Sequence, residues 1–139
     1  MNEEEFRDTP NEEEMVRYAA HYDENEFWEK LKKFARKAGI KVTYMALLLF
    51  YVLKSPGTST KDRAKILGAL GYFILPIDLI PDFIPIAGYT DDLAALTWGI
   101  YCVIKSITPE VKEQAAAKLH EWFGDFDDHL LDLFFEKKD

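Results

Sequence analysis

The sequence predicts an all-α fold, a compact bundle of five to seven helices around a central helical hairpin with a proline-rich connector. Three observations carry that prediction. Apolar residues recur at helical spacing along most of the chain, residues that start and stop helices punctuate it, and no alternating apolar–polar run with a hairpin turn occurs. At 139 residues, 48% hydrophobic and 30% charged, the chain is long enough to bury a core and reads as a single domain, 1–139.

Residues 1–10 are polar, end in Pro10 and read as a flexible tail. Asn11 can cap a short helix, with Glu12, Glu13 and Glu14 in the first turn, where the dipole favours anions, and Met15, Ala19 and Tyr22 on its apolar stripe. A second helix is expected over 24–38, with Phe27, Leu31, Phe34, Ala35 and Ala38 on one face, closed by Gly39. The third, 42–53, is apolar on every side and stops at Ser55-Pro56-Gly57. Ser59 or Thr60 opens a fourth that runs to about Leu75. Pro76, Pro81 and Pro85 each lack an amide donor and restrict the preceding residue, so no continuous helix crosses them. A fifth helix is expected to start at Thr90 as its cap, with Asp91 and Asp92 at the first two helical positions, and to reach about Ile107. Thr108-Pro109-Glu110 then supplies a cap, an N1 proline and a first-turn acid for a sixth helix closed by Gly124. A short amphipathic stretch, 126–135, ends the series.

Charge divides the functional classes. The net charge is −8, with a sequence pI near 4.9, which excludes a general nucleic-acid binder because phosphate binding needs a basic face. The acidic N-terminus does not resemble a signal peptide, and the one cysteine, Cys102, sits in an apolar run and reads as a small buried hydrophobe. Segments 1–39, 40–109 and 110–139 carry nets of −4, +1 and −5, so acidic flanks enclose an apolar middle. Three stretches of that middle, 42–53, 66–77 and 93–104, hold no charge, yet each would be only about 18 Å of helix against roughly 30 Å of hydrocarbon. Surface attachment is the better membrane reading. Lys30, Lys32, Lys33, Arg36, Lys37 and Lys41 form a basic run before the most apolar helix, as at a juxtamembrane site for anionic lipid. The competing reading is a solvated face whose bases pair with Glu26 and Glu29.

The strongest local signal is PIDLIPDFIP, from Pro76 to Pro85, followed by Gly88, Asp91 and Asp92. Its aliphatic residues demand burial, so it reads as a packed connector between the fourth and fifth helices. Asp78, Asp82, Asp91 and Asp92 admit two readings. Convergence would create an oxygen-ligand site for Mg²⁺ or Ca²⁺, whereas the more ordinary chemistry is turn capping and pairing with Lys61, Arg63 or Lys65. No cofactor is expected on the second reading. The histidines His21, His120 and His129 show no metal-ligand spacing, and no nucleophile or phosphate-loop motif occurs.

Residues 71–96, GYFILPIDLIPDFIPIAGYTDDLAAL, resemble the core of the DUF1232 (YkvA-like) family, with the likeness extending over roughly 66–106. The resemblance implies a small bacterial helical protein, a helical hairpin, membrane association and no established activity. It supplies no catalytic residues. Taken together, the expectation is a non-enzymatic interaction or membrane-surface module in the bacterial cytoplasm or at the inner face of the membrane, with a lipid surface, a protein or a second copy as partner. A metal-dependent enzyme built on the four aspartates is the rival.

Overall fold

The computed structural model describes residues 16–74, 88–127 and Leu131. They form an all-α bundle: a 3-10 turn, Tyr18–His21, then α1, Glu24–Lys54, α2, Thr60–Ile74, α3, Gly88–Val103, a second 3-10 turn, Ile104–Ser106, and α4, Pro109–Phe123. No strand occurs among the described residues. The expected cap at Asn11 and the connector prolines Pro76, Pro81 and Pro85 lie outside them, as does the end of the 126–135 stretch apart from Leu131, which is buried.

The element α1 is two limbs that reverse at Gly39. A straight helix of 31 residues would span about 45 Å. Instead Lys54 Nζ lies 2.9 Å from Glu24 Oε1, and the rings of Phe27 and Phe50 stack 5.2 Å apart, 6° from parallel. The reversal is made by Gly39 at φ 88°, ψ 178°, a backbone region that a Cβ all but forbids. The break expected at this glycine is therefore present. Thr43, fully buried, donates its hydroxyl to the Gly39 carbonyl at 2.8 Å, so the bend leaves that acceptor satisfied.

The second limb, 40–54, is the central helix. From Thr43 to Phe50 every side chain is buried, as its uniformly apolar sequence requires. Around it lie the first limb with Phe27, Leu31 and Ala35, α2 with Ile66, Leu70 and Phe73, α3 with Ala95, Leu96 and Trp98, and α4 with Val111, Ala115 and Leu119. This burial accounts for the uncharged stretch 42–53 within the protein itself, and no described helix is long and apolar enough to cross a membrane. Small residues set the close approaches. A Cβ on Gly99 would meet Leu49 Cδ1 at 2.9 Å and the Ala69 Cβ at 3.1 Å, where α1, α2 and α3 meet. A Cβ on Gly71 would overlap the Tyr18 carbonyl, because the 3-10 turn Tyr18–His21 lies directly on α2. Tyr18 also meets the Tyr72 ring edge-on, at 4.8 Å and 84°.

Capping follows the sequence closely at three ends. Asp62 N–H donates to Ser59 Oγ at 3.1 Å, and Val111 N–H to Thr108 Oγ1 at 3.2 Å, with Pro109 at the first helical position. Gly124, at φ 79°, ends α4 and donates its amide to the His120 carbonyl. Three expectations are corrected. The helix α3 begins at Gly88, so Thr90 lies inside it and is not its cap; glycine and tyrosine are weak obstacles to one more half-turn of backbone. Its far end tightens into the 3-10 turn Ile104–Ser106, short of Ile107, as the last turn of an α-helix often does. Cys102 is half-buried against the core rather than fully enclosed.

One buried group leaves a trace in solution. Tyr22 Oη is buried with no hydrogen-bond partner among the described residues, and burial, reinforced by Glu24 and then Asp23, holds its phenol well above the ordinary 10.0. Burial raises Tyr51 in the same direction. A raised phenol keeps its proton in the folded state after the unfolded chain has lost its own, so stability falls as pH rises above 10 and is unaffected below. Chemical denaturation between pH 8 and pH 11 should show that fall, and Tyr22→Phe should make it shallower; an identical pH slope in the variant would contradict this origin.

Candidate functional site

The basic run falls on the first limb of α1 and on the reversal at its end. Residues 30–41 contain six bases and no acid. Lys32, Lys33, Arg36, Lys37 and Lys41 are exposed. On helical spacing Lys32 and Arg36 share one face, and Lys33 and Lys37 the next. Gly39 turns the chain so that Lys41 follows Arg36 and Lys37 around the tip of the reversal. Half-buried Phe34, Ile40 and Val42 lie among them against the core.

Lys30 departs from the group. Its ammonium turns inward, donates to the Phe73 carbonyl and lies 4.7 Å from the centre of the Phe73 ring. It therefore ties the first limb of α1 to the last described turn of α2 rather than standing out with its basic neighbours. Exposed ion pairs occur elsewhere, Lys54 with Glu24 at 2.9 Å and Lys118 with Glu121 at 3.3 Å. Neither Lys32 nor Arg36 forms an ion pair among the described residues.

The basic face borders a cleft of about 550 Å³ between the first limb of α1 and the last turn of α4. Lys32, Ala35 and Arg36 line one wall, and Glu121, Trp122 and Phe123 the other. Trp122 is half-buried and meets Trp28 edge-on, at 5.8 Å and 78°, while Lys118 lies 5.5 Å from the Trp28 ring centre. Beyond the cleft, His120 stacks on Phe126 with centroids 4.0 Å apart, and its Nδ1 lies 2.9 Å from the Gly124 carbonyl. His120 is thus a packed histidine. The α4 wall escaped sequence reading, because Trp122 and Phe123 look like ordinary core residues until α4 is set beside α1.

The aspartates of the connector are divided. Asp78 and Asp82, with Pro76, Pro81 and Pro85, lie outside the described residues. Gly88, Asp91 and Asp92 sit on the first turns of α3. Among the described residues no group of three or more histidine, cysteine, aspartate or glutamate side chains converges. Arg63 is one of the bases expected to meet Asp78 or Asp82, whose positions lie outside the described residues. It donates to the carbonyls of Leu53, Ser55 and Thr58 at 2.6, 2.9 and 3.2 Å, closing the end of α1. Beside it Asp62, at the start of α2, accepts from Ser106 Oγ at 2.9 Å and so ties α2 to the turn after α3.

Residues 62–98, which comprise most of α2, the connector and the first two-thirds of α3, match the family described as a protein of unknown function, DUF1232. No curated protein and no solved structure matches the chain. The basic face and its cleft belong to α1 and α4 and so stand outside the matched segment.

Proposed function

We propose that this protein is a non-enzymatic module that docks on anionic membrane surfaces through the basic face of α1, with the hairpin of α2 and α3 as the scaffold behind it. The observation that carries the reading is the charge pattern of residues 30–41, six bases and no acid in a chain of net charge −8, with five of those bases exposed. Each base near an anionic leaflet contributes about 1 kcal/mol, so five contribute on the order of 5 kcal/mol before the cost of orienting the protein. The acidic remainder opposes this weakly, because charges farther than about 8 Å from the contact are screened at physiological ionic strength. The apolar helices serve as core, so attachment needs no inserted segment. A position at the inner face of a bacterial membrane belongs to the same proposal.

Cosedimentation with vesicles tests it. Binding is expected to vesicles containing phosphatidylglycerol or phosphatidylserine, to be absent with phosphatidylcholine alone, and to weaken steeply with salt. Lys33→Glu/Lys37→Glu should abolish it, whereas Lys61→Glu/Lys105→Glu, the same charge change at exposed positions elsewhere, should retain most of it. Equal loss in both double variants would mean that total charge, not this face, governs attachment. Retention in both would remove the face from the account.

A further inference from the structure

The cleft beside the basic face offers two kinds of wall. Lys32 and Arg36, one helical turn apart, present two cations on one side. On the other side stand the Glu121 carboxylate, one oxygen of which meets Lys118 at 3.3 Å in an exposed pair that leaves the side chain 63% accessible to a second cation, and the last turn of α4, the negative end of that helix. Ala35, Trp122 and Phe123 supply the apolar surface between them. A purely anionic guest would be held by one wall and repelled by the other. A zwitterion with its phosphate and ammonium a few ångströms apart satisfies both, and an attached hydrocarbon chain can lie on the aromatic rings. We infer that the cleft between α1 and α4 is a headgroup site for a phospholipid carrying a primary ammonium, a phosphatidylethanolamine, with Lys32 and Arg36 on its phosphodiester and Glu121 on its ammonium. The volume, about 550 Å³, falls in the range of small-molecule sites and fits one headgroup with its glycerol.

The inference rests on the membrane reading for its biological setting, but its chemistry can be tested without a membrane. Dihexanoyl phosphatidylethanolamine, held below its micelle concentration, is titrated into the full chain while tryptophan emission is followed. Trp122 lines the cleft, whereas Trp98 is buried. A saturable emission change is expected, and Trp122→Phe should remove it. The choline analogue, whose methylated nitrogen cannot donate a hydrogen bond, should bind at least ten-fold more weakly, as should inorganic phosphate. Arg36→Gln should lower affinity for the ethanolamine lipid about ten-fold. Glu121→Gln is the discriminating variant: its side chain is 63% exposed, so the fold should tolerate it, and it should erase the preference for ethanolamine over choline while leaving phosphate recognition in place. No saturable response to the ethanolamine lipid, equal affinity for both lipids in the wild type, or a preference that survives Glu121→Gln would each overturn the assignment. Inorganic phosphate binding as tightly as the lipid would overturn it too. Failure here alongside intact vesicle binding would remove the cleft and leave the docking face, while the reverse outcome would remove the face and leave the cleft.

Discussion

Phe27→Ala should destabilise the protein by about 3–5 kcal/mol, among the largest losses open to a single side chain in this bundle. Phe27 is fully buried and is the point where four aromatic rings meet. It stacks on Phe50 at 5.2 Å, meets Trp28 edge-on at 5.1 Å, and approaches Phe73 at 6.2 Å and Tyr22 at 6.4 Å. These contacts join both limbs of α1 to α2 and to the N-terminal turn. Removing the ring leaves a cavity that the stiff neighbouring rings cannot close, so the transfer loss and the cavity loss add. Phe27→Leu keeps most of the volume and should cost less than half as much. Urea denaturation of the three proteins measures this directly. A loss below about 1 kcal/mol for Phe27→Ala would mean that the limbs of α1 are held together elsewhere.

Arg63→Ala should cost about 2–3 kcal/mol, from three charge-assisted hydrogen bonds discounted for the half-exposed position of the side chain. The last carbonyls of any helix lack helical donors, and at the end of α1 the Arg63 fork reaches those of Leu53 and Ser55 while its Nε reaches Thr58. Thr58 Oγ1 adds a bond to the Val52 carbonyl at 2.6 Å. A lysine carries the same charge but only one nitrogen, so Arg63→Lys should recover less than half of the loss. Full recovery by lysine would show that charge at this helix end, not the fork, is what matters. Arg63 also lies at the start of the matched family segment, which gives that segment a structural duty in closing the helix before it.

How far the sequence foretold the molecule depends on the range of the interaction. Gly39, Ser59, Thr108-Pro109 and Gly124 were legible because each acts on backbone within a few residues of itself. The burial of the 42–53 run was legible because a helix apolar all round has only the interior to occupy. The start of α3 was misjudged: Thr90 has the right chemistry for a cap, but nothing at Gly88 or Tyr89 prevents the helix from beginning earlier. What escaped was long-range. Lys30 resembles its basic neighbours in sequence, and it is contact with Phe73 across the bundle that sets it apart. The three carbonyl contacts of Arg63 also lay beyond sequence reading, which offered it only as one of three bases for the connector aspartates. The cleft was half legible. Its cations stood out in the charge pattern, while Trp122 and Glu121 became its other wall only through the packing of α4 on the first limb of α1.

The docking face is tested most directly by hydrogen–deuterium exchange of the intact chain with and without phosphatidylglycerol vesicles. Membrane contact through α1 predicts slowed exchange concentrated in 30–41, with residues 60–74 and 95–106 unchanged. Protection confined to those α2 and α3 segments, with 30–41 exchanging as in the free protein, would contradict it and transfer the contact to the hairpin.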